Sequence, residues 1–133
     1  MFDFFKKKKT SLLKAEVEAV LTEEQKNELH KEIDQATAEI TASELADNAL
    51  AEKYEKMGLL FVQLNEIDQA ITALEKSQSC KNSIGQGYKK LMSLYNQKRA
   101  EAAKNGDSDG IDLWMNKMDD MRQIAKKVTI SGQ

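Results

Sequence analysis

The segment that most resembles an ion site is Asn105-Gly106-Asp107-Ser108-Asp109-Gly110, which follows the first six positions of an EF-hand loop in outline. Such a loop also needs a bidentate carboxylate at its twelfth position. Counted from Asn105 that residue is Asn116, and the usual apolar eighth residue is Asp112, so the segment reads as a connection between helices. His30 is the only histidine, which excludes a histidine-based zinc cluster and leaves one ring on which any supported nucleophile would have to be built. Cys80, the single cysteine, stands near a helix end, where the helix dipole favours cations rather than a thiolate. Glu23-Glu24 and Asp119-Asp120 are adjacent pairs that project to different sides of a helix, so neither is spaced as a general acid and base. With no nucleophile, base and orienting group converging in one motif, the expectation is a non-catalytic chain with no cofactor and no metal.

The residues at the start carry a different kind of chemistry. Phe2, Phe4 and Phe5 stand beside Lys6, Lys7, Lys8 and Lys9, an apolar foot next to a dense positive patch. On an anionic leaflet each lysine contributes roughly 1 kcal/mol, enough for weak peripheral membrane contact. The alternative is a solubilising tail whose phenylalanines pack on the first helix. The order of basic and apolar parts is wrong for a signal peptide. The net charge of -2, from 22 acidic and 20 basic residues, provides no field for steering onto a polyanion, so nucleic acid is not expected as a partner. One cysteine allows no intrachain disulfide and fits a reducing cytoplasm. The longest apolar run, residues 58–62, is far short of the roughly 20 residues that span a bilayer.

The elements that position these residues are helices. There is no proline and there are only six glycines, so the commonest helix breakers are scarce. Leu13, Val17, Val20 and Leu21 recur at three and four residues and predict a short amphipathic helix from Ser11. Thr22-Glu23-Glu24-Gln25 has the form of a capping box and predicts a second helix, with Leu29, Ile33, Ala36 and Ile40 on its apolar stripe. Thr41-Ala42-Ser43-Glu44 has the same form and predicts that a third helix starts at Thr41 or Ser43, spanning about 42–63, with Asn65 punctuating its end. A fourth covers about 66–78 and turns Ile67, Ala70, Ile71 and Leu74 inward. A fifth covers about 83–103 with Ile84, Tyr88, Leu91, Met92 and Tyr95 inward. A last helix carries Ile111, Trp114, Met118, Met121 and Ala125, with Met115 pointing elsewhere and a frayed end from Val128. The organisation expected is a basic and aromatic tail over 1–10, one helical domain over 11–128 and a flexible tail over 129–133, in an all-α fold of five to six helices.

Spacing adds an internal repeat. Tyr88 stands 34 residues after Tyr54, Leu91 after Met57, and Tyr95 after Phe61. Gly58 and Ala70 are small enough for two helices to approach closely, with Tyr54, Phe61 and Leu74 filling the space around that contact. Starting from Ala51, the set Tyr54, Met57, Gly58, Phe61, Ala70 and Leu74 resembles the tetratricopeptide repeat motif. Ser77 and Asn82 replace the Ala and Pro of that motif, and in the second unit Met92 replaces the Gly. The second unit's own second helix is displaced by the 106–110 segment, leaving Trp114 or Leu113 to serve as its notch.

The resemblance implies antiparallel helical hairpins stacked in a short right-handed array, an adaptor or chaperone-like module that binds a peptide or helix of another protein. It also implies that the first helix of each hairpin lines the binding face. By position these residues are Glu52, Glu55, Leu59 and Val62 in the first unit, and Gln86, Lys89, Ser93 and Asn96 in the second. The family's carboxylate clamp is not expected, since Glu55 and Leu59 occupy its Lys and Asn positions, and the two glutamates favour a basic or neutral segment. The alternative is a self-associating structural subunit, a homodimer that supplies the missing stacking neighbour, recruited to a membrane through residues 2–9.

Overall fold

A computed structural model describes residues 20–42 and 44–130. The described residues form five helices and no strand: α1 (Glu23–Ala42), α2 (Asp47–Gln63), α3 (Ile67–Cys80), α4 (Gln86–Lys104) and α5 (Ser108–Ile130). The fold is all-α, and its two closest pairings are α2 with α3 and α4 with α5, each pair joined by a short turn as an antiparallel hairpin. The helix expected from Ser11 lies outside the described residues, apart from Val20 and Leu21.

The start of α1 follows from side-chain chemistry. Gln25 N–H donates to Thr22 Oγ1 at 3.0 Å, and Thr22 N–H donates to Gln25 Oε1 at 2.9 Å, the reciprocal pair of a capping box. Thr22→Ala is expected to cost about 1 kcal/mol, read as faster amide exchange in the first turn of α1 with the exchange of α3 unchanged. Thr41 does not repeat this role. Its hydroxyl donates back to the carbonyls of Thr37 at 3.1 Å and Ala38 at 3.2 Å, so it closes α1 instead of opening α2. The second capping box therefore starts no helix, and α2 begins at Asp47, behind an extended Ala46 whose side chain makes no cap.

The first hairpin closes around Gly58. A Cβ built on that residue would stand 2.5 Å from Leu74 Cγ and 3.3 Å from the Ala70 carbonyl oxygen, so only glycine admits this approach. Ala70 is 0% and Leu74 1% exposed, and both lie on the same seam. Farther along it, buried Ser77 donates its hydroxyl to the Ala51 carbonyl at 2.7 Å, a bond that an alanine could not make.

Both hairpins turn in the same way. Asn65 has φ 59° and Gly106 has φ 69°, each one residue past a helix C-cap in the left-handed region. Asn65 N–H donates to Val62 O and Glu66 N–H to Phe61 O. In the second hairpin Gly106 N–H donates to Ala103 O and Asp107 N–H to Ala102 O. These are two copies of a Schellman turn. Asp107 then caps α5, accepting from Gly110 N–H at 3.0 Å. The 106–110 segment is therefore a tight turn leading straight into a helix, not an extra loop. Relative to the 34-residue register of the first helices, the second turn comes seven residues late. Seven residues are about two helical turns, so α4 is lengthened without changing which face looks inward.

The main core joins the hairpins: Ala70, Ile71 and Leu74 of α3 meet Leu91, Leu94 and Tyr95 of α4 and Met121 of α5, with Trp114 and Met118 packed against them. A smaller cluster, Leu29, Ile33 and Leu60, seats α1 on α2. The ammonium of Lys53 reaches the Glu39 carboxylate across that joint, and this hydrogen bond outweighs the opposing desolvation to hold Glu39 below its ordinary 4.5.

Three further expectations are corrected. Helix α4 starts at Gln86 behind Gly85, and Ile84 stays 42% exposed in the connection, which is fixed by Ser83 N–H donating to buried Gln78. Helix α5 continues through Ile130 with Val128 buried, past the end expected at Val128, and residues 131–133 lie outside the described residues. Leu113 is exposed and forms no notch, whereas Trp114 meets the Tyr95 ring at 5.7 Å. Met115 is also exposed, as expected.

Candidate functional site

Helices α2 and α4 touch each other as well as α3, so the first helices of the two hairpins lie side by side. The eight residues expected to line a partner-binding face are spaced at three or four residues along these two helices and share one face of each. Glu52, Gln86, Lys89, Ser93 and Asn96 are exposed, and Leu59 is half-buried. Asn96 accepts a hydrogen bond from Arg99 Nε at 3.0 Å. Val62 is half-buried against the main core, so it belongs to the floor of the face more than to its surface.

Glu55 has a task that spacing could not disclose. Its side chain lies against the bare backbone of Gly87, where a Cβ would stand 2.9 Å from Glu55 Cγ and closer still to its carboxylate. Gly87 is the second residue of α4, so the carboxylate rests at the amino end of that helix, where a negative charge is favoured. Glu55 thereby joins α2 to α4. Together with Glu52 it also borders a cleft of about 240 Å³ shared with Asn48, Ser77, Lys81 and Ser83. Lys81 brings a positive charge to the rim of an otherwise acidic and neutral patch.

A second polar cluster lies between α3 and α5, across the surface of α4. Tyr95 donates its hydroxyl to Glu75 Oε2 at 2.5 Å, and Lys117 Nζ stands 2.9 Å from the same oxygen. That ammonium is also 5.7 Å from the Tyr95 ring centroid and 5.9 Å from that of Trp114. Burial first, then the hydrogen bond to Glu75, push the Tyr95 hydroxyl well above its ordinary 10.0. The three polar groups satisfy one another and tie the second hairpin to α3.

A tyrosine raised in the folded state remains protonated while the unfolded chain ionises, so its contribution to stability is full below pH 10 and declines above it. Tyr95→Phe is expected to lose about 1 kcal/mol at pH 8, and its urea midpoint should fall less steeply than that of the parent between pH 10 and pH 11.

No protein-family model, curated protein or solved structure significantly matches this chain. Among the described residues, no cluster of three or more His, Cys, Asp and Glu side chains could hold a metal ion, and no helix is long and apolar enough to cross a membrane. His30 is exposed and Cys80 half-buried. Phe2, Phe4, Phe5 and Lys6, Lys7, Lys8 and Lys9, singled out for membrane contact, lie outside the described residues.

Proposed function

We propose that this chain is a tetratricopeptide-like, non-catalytic binding module that holds a peptide or helix of another protein on the face shared by α2 and α4. The observation that carries this reading is the side-by-side placement of two helices whose outward residues recur at the same 34-residue offset. The glycine seam of the first hairpin and the matched turns support it, because they let each hairpin act as one stacking unit. Glu52 at the rim, with Glu55 beside it, suits a neutral or basic segment, while Gln86, Ser93 and Asn96 offer hydrogen bonds to an extended backbone.

The reading is tested by placing a photo-crosslinking side chain at Ser93 or Lys89, and as a control at Gln123 of α5, in the full chain within its own cell extract. The same partner should be captured at Ser93 and Lys89 and not at Gln123. Equal capture at all three positions, or none, would remove the face as a binding site. Glu55 is unsuited to such a test, since changing it disturbs the joint with Gly87.

A further inference from the structure

A larger recess, of about 360 Å³, lies between α3 and α5, whose backbones do not approach each other, with α4 as its floor. Helix α2 contributes nothing to it, so it is separate from the face shared by α2 and α4. Leu91, Met121 and Ile124 make its apolar bottom, and Gln78 and Asp120 stand on opposite walls. Gln78 is the informative residue. It is 6% exposed, and Ser83 N–H donates to its Oε1 at 3.1 Å, which fixes which end of the amide carries the nitrogen. Among the described residues that nitrogen donates to nothing, and none of their enclosed side-chain nitrogens and oxygens lacks a partner, so Nε2 opens into the recess that Gln78 lines. The fold thus aims a donor into the recess, in position for an acceptor from outside the fold. Asp120 is exposed on the α5 wall, and the nearby cations are engaged elsewhere, Lys117 with Glu75 and Arg122 with Asp119.

We propose that this recess binds a short extended stretch of another protein's main chain. A peptide linkage carries both of the groups that the walls call for: its carbonyl accepts from Gln78 Nε2, and its N–H donates to Asp120. A carboxylate ligand would be repelled by Asp120 and by half-buried Glu75, and a simple cation would leave the Gln78 donor unused. An apolar side chain of the bound segment covers half-buried Ile124, and a basic one next to it pairs with Asp120. The volume lies near the lower end of the range for ligand sites, about 300–1,000 Å³, which suits a segment of few residues. This site stands or falls independently of the α2/α4 face.

The test titrates the full chain with the blocked dipeptide N-acetyl-leucyl-lysine amide, which has no charged termini, and follows the Gln78 side-chain amide by nuclear magnetic resonance. In the free chain these protons should exchange with water. At millimolar peptide they should shift and saturate while the backbone signal of Ser93, on the α2/α4 face, stays in place. Gln78→Glu keeps the oxygen that Ser83 N–H requires and removes the donor, and Asp120→Ala removes the opposite acceptor at an exposed position. Each should weaken binding by about fivefold, the loss of one hydrogen bond. No saturable shift, or unchanged binding in either variant that keeps its helicity, would overturn the proposal. Gln78 side-chain protons already shielded from water before peptide is added would also overturn it, since the donor would then be in use within the chain or between two copies.

Discussion

Gly58→Val should be among the most destabilising single changes in this chain. The first added carbon alone meets Leu74 Cγ at 2.5 Å and Leu74 Cδ2 at 2.7 Å, and Leu74 has no room to retreat because it is 1% exposed. Overpacking of a filled core costs about 1–3 kcal/mol and at times more, and a branched side chain at this contact belongs at or above the top of that range. The better helix propensity of valine returns less than about 1 kcal/mol. Against a total stability of about 5–15 kcal/mol the loss is large. Urea denaturation followed by circular dichroism should show a marked fall in midpoint, and a change below about 0.5 kcal/mol would mean that α2 and α3 do not meet at this residue.

Leu91→Ala is expected to cost about 2–5 kcal/mol. Leu91 is 0% exposed and sits where α3, α4 and α5 converge, touching the cluster that contains Ile71, Leu74 and Met121. Truncation leaves a void bordered by both hairpins, so the seam between them loosens along with the second hairpin itself. At about 3–5 °C per kcal/mol for a chain of this size, the melting temperature should drop by about 6–25 °C. Met115→Ala, on the same α5 but 48% exposed, should change stability by less than about 0.5 kcal/mol. Equal effects at the two positions would contradict the core described for this fold.

Features governed by local chemistry were legible in the residues. Thr22 and Gln25 form their capping box because both partners lie within one turn. The pairing of Gly58 with Ala70 and Leu74 follows from size and spacing along two helices joined by a short turn. Asn65 marks a turn because asparagine tolerates a positive φ. The failures share a cause too: the same local signal had two outlets. Thr41 carries the capping pattern of Thr22, yet a threonine hydroxyl can equally bond back to the preceding turn, and here it does. The run of Asn, Gly, Asp and Ser at 105–110 signals a break in a helix, but one residue at positive φ and one aspartate cap complete it.

The site was less legible than the fold, because its decisive contacts join distant residues. Glu75 and Tyr95 are 20 residues apart and Glu75 and Lys117 are 42 apart, on three different helices, and no period links them. Charge and polarity gave Glu55 the look of a surface residue. Its contact with Gly87 depends on how close α2 comes to α4, a distance set by the packing of α3 beneath both. The one available clue was Gly87 itself, a glycine in the first turn of a helix where a larger residue would serve helix formation better.

The face shared by α2 and α4 exists only if the first hairpin is closed at Gly58, and a double-mutant cycle of Gly58→Ala with Leu74→Ala measures that closure directly. Removing the leucine branch gives the new methyl group space, so the double variant should be more stable than the sum of the single losses by at least about 1 kcal/mol. Losses that add to within about 0.3–0.5 kcal/mol would show that the two residues do not touch, and the hairpin would have to be drawn differently.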